Sequence, residues 1–178
     1  MKFVHKSQDP WRTVSGDDGP MVTITSAPYR LLGWLQWLSV RHHWPVGMPV
    51  GVAFDNDHDI EQVEADLPRL ALIALAFPKW VDGRAYTQAH LLRQRYAFEG
   101  ELRATGDVLV DMLPLLQRNG FDAVVLRGDQ SRDAAERALS FFPGFYQGDV
   151  REHRPHFAIP LEQQRAQAHD FLQQGASI

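Results

Sequence analysis

One uninterrupted run of apolar residues, Leu70 to Ala76, constrains the fold of this chain more than any other feature. It has the length of a β-strand, but it lacks the alternation of polar and apolar residues that a strand with one wet face shows. Such runs are typical of parallel strands that are covered on both faces. The run breaks at Phe77-Pro78, and a helical pattern resumes at Ala85. The stretch therefore predicts an α/β fold.

Strand-then-helix units follow Trp44-Pro45, which is the pattern of a mainly parallel sheet with helices packed on it. The predicted strands are 50–54, 70–76, 101–104 and 122–126, and the predicted helices are 59–69, 85–96, 107–119 and 132–142. Pro114 should kink the third of these helices. A short edge strand is expected within 1–6 and a last helix over 161–174. The strand order, and the choice between an open sheet and a barrel, stay open.

Length, charge and cysteine content limit the classes of function. A chain of 178 residues without a recognisable linker predicts a single domain. A net charge of −4 argues against general nucleic-acid binding, and no apolar run or signal-peptide pattern predicts a membrane segment, so we expect a cytoplasmic protein. The absence of cysteine excludes a disulfide, a thiolate nucleophile and thiolate ligands for an iron–sulfur cluster.

Polar residues collect in the loops that follow the predicted strands. Right-handed crossovers place all four loops at one edge of a parallel sheet. Lys79, Gly83, Arg84 and Arg103 would then meet near helix amino termini, where free backbone N–H groups favour an anion. The sequence therefore predicts a small-oxyanion site at the carboxyl ends of the strands. The four loops are 55–59, 77–84, 103–107 and 127–133.

The charged residues of this predicted site also have structural interpretations. Asp82 and Asp107 stand where helices begin, so each either caps a helix or serves as a catalytic acid or base. The cations either bind a ligand or pair with nearby carboxylates. Glu101 and Arg103 share one side of their strand, as an internal ion pair requires. The sequence leaves these alternatives open.

No metal site or cofactor is predicted. The loop after the first long strand imitates the opening of a calcium loop with three acidic residues, Asp55, Asp57 and Asp59. However, Ile60 stands where a calcium loop requires glycine. His153 and His156 have the spacing of two metal ligands, but no third ligand is marked. The chain also lacks the GxGxxG, GxxxxGK and GxSxG motifs of nucleotide sites and serine nucleophiles.

A helix is predicted from Tyr29 to His43, with two stripes of large side chains. One stripe, of Leu31, Leu35 and Leu38, is expected in the core. The other, here called the arginine–tryptophan stripe, consists of Arg30, Trp34, Trp37 and Arg41. This stripe either packs within the monomer or binds a partner, because Trp and Arg are enriched in interfaces. The partners expected there are a second copy of the chain, as in a homodimer, or a neighbouring enzyme.

Five motifs lie between Phe77 and Asp122, namely FPK, DGR, LLR, GELRATGDVL and GFD. Together they resemble an uncharacterised bacterial family, a domain of unknown function whose members are commonly labelled probable oxidoreductases of sulfite reduction. The resemblance extends from about Trp11 to Tyr146-Gln147 and leaves 148–178 as a C-terminal extension. The family pattern marks Phe77, Pro78, Lys79, Asp82, Gly83, Arg84, Arg93, Glu101, Arg103, Gly106 and Asp107.

The sequence departs from the family pattern at three positions. Asn119 stands where the family usually has cysteine before Gly-Phe-Asp, and Val110 and Met112 replace residues that are typically polar. Because Asn119 replaces this cysteine, the family resemblance does not extend to a cysteine-based redox role in this chain.

The resemblance implies a role in assimilatory sulfite reduction. The first hypothesis is an oxidoreductase in which Lys79, Arg84 and Arg103 hold sulfite or a related oxyanion. In that hypothesis, Asp82 or Asp107 supplies the acid or base. The second hypothesis is a non-catalytic protein that binds sulfite reductase or a neighbouring sulfur-assimilation enzyme through the arginine–tryptophan stripe. A third, a nucleotide-binding regulator, rests on fold analogy alone.

Overall fold

The computed structural model describes residues 1–5, 7–14, 24–142, 145–166 and 169. Within these ranges the chain forms an α/β domain with a curled sheet of seven strands and helices packed on it. The strands are β1 (Lys2–Phe3), β2 (Arg12–Thr13), β3 (Arg30–Gly33), β4 (Val50–Phe54), β5 (Leu70–Phe77), β6 (Glu101–Gly106) and β7 (Ala123–Val124). The α-helices are α1 (Trp34–Val40), α2 (Arg84–Gln94), α3 (Leu113–Arg118) and α4 (Arg132–Leu139). The 3₁₀-helices are Ile60–Arg69, Val110–Met112 and His156–Ala158, and further helical turns cover 161–166.

The sheet has the strand order β1-β7-β6-β5-β4-β3-β2, and all neighbouring strands are parallel. From β3 to β7, each strand lies beside the strand that follows it in the sequence. Every connection therefore steps in the same direction, and right-handed crossovers place the connecting helices on one face. The predicted α/β fold with a mainly parallel sheet is confirmed.

The helix-covered face of the sheet holds the main core. Leu32, Val52, Ile73 and Leu102 lie opposite one another across β3, β4, β5 and β6, and all four side chains are completely buried. Because side chains alternate along a strand, this row recurs every second residue and gives the helices a continuous apolar surface to pack on. The apolar run from Leu70 to Ala76 supplies the central part of this surface.

The opposite face of the sheet, here called the inner face, is lined by small residues around one arginine. A single row across the five strands β3 to β7 consists of Gly33, Ala53, Ala74, Arg103 and Ala123. The segment between β1 and β2 reaches this face, because Trp11 packs on Gly51, where a Cβ atom would lie 3.0 Å from the indole ring. The small residues therefore leave room for the Arg103 side chain and for the N-terminal segment.

The predicted helix from Tyr29 to His43 is wrong at its amino end. Residues Arg30–Gly33 form β3, which pairs with β4, and the helix begins only after Gly33. The Gly33 N–H donates to the Gln36 side chain at 2.8 Å and so caps the first turn. The shift also turns Leu35 outward, and its side chain is 74% exposed instead of lying in the core.

The two tryptophans of the arginine–tryptophan stripe belong to the core. Trp34 is 5% exposed and packs on Phe54, with ring centroids 4.9 Å apart. Trp37 is completely buried between Trp44 and the guanidinium of Arg69, which lies 5.1 Å from its ring. The predicted partner surface is therefore corrected, since these rings cover the monomer's own sheet and loops.

Arg41, from the same stripe, also has a partner inside the monomer. It donates to the buried carboxylate of Asp66 at 2.9 Å. Arg30 is half-buried and occupies the first position of β3, opposite Val50. The structure therefore favours packing within the monomer over partner binding for Trp34, Trp37 and Arg41.

The predicted helix 107–119 is divided into the 3₁₀-helix Val110–Met112 and α3. Pro114 lies in the first turn of α3, where helical N–H groups have no partner, so the predicted kink does not form. Among the described residues, no helix is both long and apolar enough to cross a membrane.

Candidate functional site at the carboxyl ends of the strands

The loops after β4, β5, β6 and β7 lie at one edge of the sheet, here called the carboxyl edge. These four strands are adjacent and parallel, so their carboxyl ends meet there. The common edge predicted for the four loops is thus present. One loop boundary differs, because β6 runs to Gly106 and carries Arg103 within the strand.

Asp107 connects three of the loops at the carboxyl edge. Its backbone N–H donates to the Phe77 carbonyl at 2.7 Å. One carboxylate oxygen accepts the Trp80 N–H at 2.9 Å, and the other accepts Arg127 Nη1 at 2.6 Å. Gly106 has φ +91°, and a Cβ atom there would lie 2.4 Å from the Phe77 carbonyl oxygen, so only glycine fits. Gly106 and Asp107 therefore fix the positions of the loops at the carboxyl edge relative to one another.

Arg127 keeps two carboxylates of the carboxyl edge ionised. Its hydrogen bond is the main cause that lowers the pKa of Asp107, and the Trp80 N–H lowers it further. Arg127 also binds both oxygens of Asp129 at 2.7 Å and lowers the pKa of Asp129 to about 2. An ionised Asp107 that already accepts two hydrogen bonds is poorly suited to donate a proton. Asp129 was not predicted, although it lies only two residues beyond Arg127.

Asp82 and Arg84 form a second closed pair, on the loop after β5. Arg84 Nε and Nη2 donate to the two oxygens of Asp82 at 3.0 and 2.7 Å, and the Arg84 backbone N–H donates at 3.2 Å. The Arg84 side chain is the main cause that holds the pKa of Asp82 well below its ordinary value. Asp82 thus receives an N–H group of the first turn of α2, and Gly83 is the N-cap residue. This geometry favours helix capping over a catalytic role for Asp82.

Lys79 differs from its charged neighbours. Within the described residues, its ammonium group has no hydrogen bond or ion pair. The next two side chains also face solvent, since Trp80 is 55% exposed and Val81 is 65% exposed. Lys79, Trp80 and Val81 therefore form an exposed tip on the loop that leads to Gly83 and α2.

Arg103 does not belong to the carboxyl edge. Its side chain is almost fully buried on the inner face, where Nη1 and Nη2 lie 2.5 and 3.2 Å from the two oxygens of Asp9. Its Nε donates to Glu101 at 2.8 Å. All three guanidinium nitrogens therefore already face carboxylates. Of the two predicted alternatives for Arg103, this geometry favours the internal ion pair over anion binding.

Arg93 and Asp122, from the LLR and GFD motifs, lie at the opposite edge of the sheet. Arg93 donates to the carbonyls of Phe98, Gly100 and Gly120 and forms an ion pair with Asp122. These contacts fasten the turns that precede β6 and β7 to helix α2. Arg93 and Asp122 therefore stabilise the fold of the domain.

The loop after β4 brings Asp55, Asp57 and His58 together, with one ligand atom of each within 4.8 Å of the others. Asp59, the third acid of the calcium-like pattern, instead caps the 3₁₀-helix Ile60–Arg69 by accepting the Glu61 N–H at 3.0 Å. The sequence reasoning missed His58, whose signal is its place beside Asp57 directly after a strand. In the described parts of the chain, no such group includes either histidine near the C-terminus.

Comparison with known proteins identifies the family of this chain. No curated protein matches it. The family model described as a bacterial protein of unknown function, DUF934, matches residues 51–157, which is 107 of the 178 residues. The matched region starts in β4 and so contains every loop of the carboxyl edge, whereas the expected resemblance began near Trp11. The chain belongs to the DUF934 family of bacterial proteins of unknown function.

Proposed function

We propose that this protein serves assimilatory sulfite reduction, as an accessory protein or an oxidoreductase, and that it binds a small oxyanion such as sulfite at the carboxyl edge. The pathway rests on the resemblance to proteins labelled probable oxidoreductases of sulfite reduction. The observation that carries the site is the ammonium group of Lys79, which has no hydrogen bond or ion pair among the described residues.

Lys79 supports the site because, in the part of the chain that the structure describes, its charge is not used by an internal ion pair. The other two cations predicted for this site are paired, Arg84 with Asp82 at the carboxyl edge and Arg103 with Asp9 and Glu101 on the inner face. An exposed lysine presents a flexible positive charge that can reach an anion. Helix α2 begins a few residues later, and its amino end favours negative charge within the first turn.

Arg84 contributes less than its sequence position suggested. Its Nε and Nη2 are held by Asp82, so an incoming oxyanion competes with an internal carboxylate for the same cation. We therefore expect weak, reversible binding. Asp82 and Asp107 both stay ionised and hydrogen-bonded, which favours a binding role over acid catalysis.

Calorimetric titration with sulfite, sulfate and phosphate tests the site. Removing the Lys79 charge should cost about 1.5–3 kcal/mol of binding free energy, which is a loss of affinity of about tenfold or more. The matched control is Lys2→Ala, because Lys2 is also an exposed lysine but pairs with Glu101. Equal affinities of wild type and Lys79→Ala would remove the site, and an equal loss in Lys2→Ala would reduce it to general charge attraction.

A protein-binding role is a second proposal, favoured by apolar side chains exposed beyond α4. Phe141 and Phe142 are 69% and 55% exposed and contact each other edge to face. Tyr146 and Phe157 are each 72% exposed, and Leu161 is 68% exposed. Exposed aromatic clusters are commonly used in protein interfaces. The partner that the resemblance suggests is sulfite reductase.

The affinity of this protein for purified sulfite reductase, measured in a binding titration, tests this second proposal. Phe141→Ser with Phe142→Ser should weaken association by about thirtyfold or more, since one aromatic anchor commonly carries about 2 kcal/mol. Val46→Ser is the control, because Val46 is 97% exposed in the loop that precedes β4. Retention of the reductase by the double variant would exclude this surface.

A further inference from the structure

Three ligand atoms on the loop after β4 lie within 4.8 Å of one another, which is close to the spacing around a shared metal ion. His58 Nδ1 lies 3.4 Å from Asp57 Oδ1, and it is a buried nitrogen without a hydrogen-bond partner among the described residues. Two ligands that each lie about 2.1 Å from one tetrahedral ion are about 3.4 Å apart. Asp55 completes a group of two carboxylates and one imidazole.

Gln88 provides an independent indication beneath the same loop. Its side chain is 6% exposed, and Nε2 donates to the Asp55 carbonyl at 3.2 Å and to the His58 carbonyl at 2.9 Å. Because the nitrogen faces two acceptors, the other amide atom must be the oxygen. This Oε1 atom is buried and accepts no hydrogen bond from any residue that the structure describes. A buried acceptor in that condition requires a water molecule or a cation.

Asn56, between the two aspartates, connects this loop to the loop after β5. It is 6% exposed, and its side chain lies toward the Asp82 carboxylate, whose pKa it helps to lower. The unsatisfied buried atoms at the proposed ligands are therefore His58 Nδ1 and, beneath the loop, Gln88 Oε1, as far as the described residues show. Gln88 fixes the loop itself at Asp55 and His58.

We propose that Asp55, Asp57 and His58 bind one divalent metal ion of the manganese–zinc class, and that Gln88 positions their loop. Mixed carboxylate and imidazole ligands suit these ions, whereas calcium and magnesium prefer oxygen ligands alone. The site differs from the calcium loop rejected on sequence, because it uses His58 and leaves Asp59 as a helix cap. It uses no residue of the proposed oxyanion site, although the Asp57 carboxylate interacts electrostatically with Arg84 on the next loop.

Calorimetric titration of the metal-stripped protein with Zn²⁺ alone, and separately with Mn²⁺ alone, tests the proposal. We expect one ion per chain. Asp57→Asn and His58→Ala should each weaken binding at least about tenfold, because each removes a ligand. The control is Asp59→Asn, which removes a neighbouring charge but keeps a good cap, and it should change affinity less than about threefold. Circular dichroism should show the wild-type spectrum for all three variants.

Paramagnetic broadening by Mn²⁺ gives a second readout that does not depend on a variant's fold. The side-chain amide signals of Gln88 should broaden before those of residues elsewhere in the protein. Absence of saturable one-to-one binding would overturn the proposal. An equal loss in Asp59→Asn, or first broadening around His153, would overturn it as well.

Discussion

Arg103 holds Asp9 across the inner face of the sheet, with Nη1 and Nη2 at 2.5 and 3.2 Å from the two carboxylate oxygens. The two residues are 94 positions apart in the chain, and both side chains are largely buried. This pair ties the segment between β1 and β2 to the middle of β6. It therefore fixes the N-terminal residues to the small-residue row of the inner face.

Breaking this pair should destabilise the fold strongly. Arg103→Met leaves the Asp9 carboxylate buried without its main partner, and such a change costs about 3–5 kcal/mol. The free energy of unfolding in urea measures the loss. Arg132→Met is the control, because Arg132 forms an exposed ion pair with Glu136, which should contribute only about 0–1 kcal/mol. Similar losses in the two variants would contradict the role of the buried pair.

Stability at low pH should depend on Arg127. In the folded state Arg127 lowers the pKa of Asp107, and it lowers the pKa of Asp129 to about 2. Unfolded aspartates titrate near about 3.9, so this stabilisation is present above about pH 4 and is lost as the pH falls toward about 2. We expect the urea midpoint of Arg127→Gln to fall less than that of the wild type between about pH 5 and pH 3. A parallel fall of both midpoints would contradict this assignment.

A methyl group at Gly106 should distort the carboxyl edge. Gly106→Ala forces a left-handed backbone onto alanine and brings its Cβ against the Phe77 carbonyl, so we expect a loss of more than about 1 kcal/mol. Gly128→Ala is a matched change, since nothing lies within 4 Å of a Cβ atom there. Gly128→Ala should leave the midpoints of thermal and urea unfolding nearly unchanged. A tolerated Gly106→Ala would show that the turn between β6 and Asp107 adapts freely.

Helix α1 offers a pair of substitutions that separates core from surface. Trp37→Ala should cost about 3–5 kcal/mol, because it removes a completely buried ring from between Trp44 and Arg69. Leu35→Ser, two residues earlier, should stay within about 0.5 kcal/mol, since Leu35 is 74% exposed. Urea unfolding measures both. A stable Trp37→Ala variant with altered self-association would restore the partner surface first expected there.

The sheet was predictable where local pattern and tertiary environment agree. Val50–Phe54 and the run from Leu70 are strands as predicted, because continuous apolar residues fit a strand covered on both faces. Arg30–Gly33 was predicted to be helical, since its leucines continue the spacing of the helix that follows. Pairing with β4 overrode that local preference, and no periodicity within the segment reports a partner strand about twenty residues away.

The candidate site was predictable to the extent that topology determines it. Parallel strands in sequence order bring Lys79, Asp82 and Asp107 to one edge, as expected. Arg103 was misplaced, because its partner Asp9 lies far away in the chain and because β6 is two residues longer than predicted. His58 escaped notice because the three neighbouring acids were compared with a calcium-loop template, in which that position supplies no side-chain ligand.

The pairing of β1 with β7 has a consequence for biosynthesis. Lys2 lies opposite Ala123, so β1 is translated well before the strand with which it pairs. At about 5–20 residues per second, that interval lasts roughly 6–24 s. During this time Phe3 and the segment that carries Asp9 have no strand beside them, and such edges can pair with other chains. Because β1 pairs only with β7 among the described strands, we expect β1 to dock, and the Asp9 segment to be fixed beside it, only after β7 has been made.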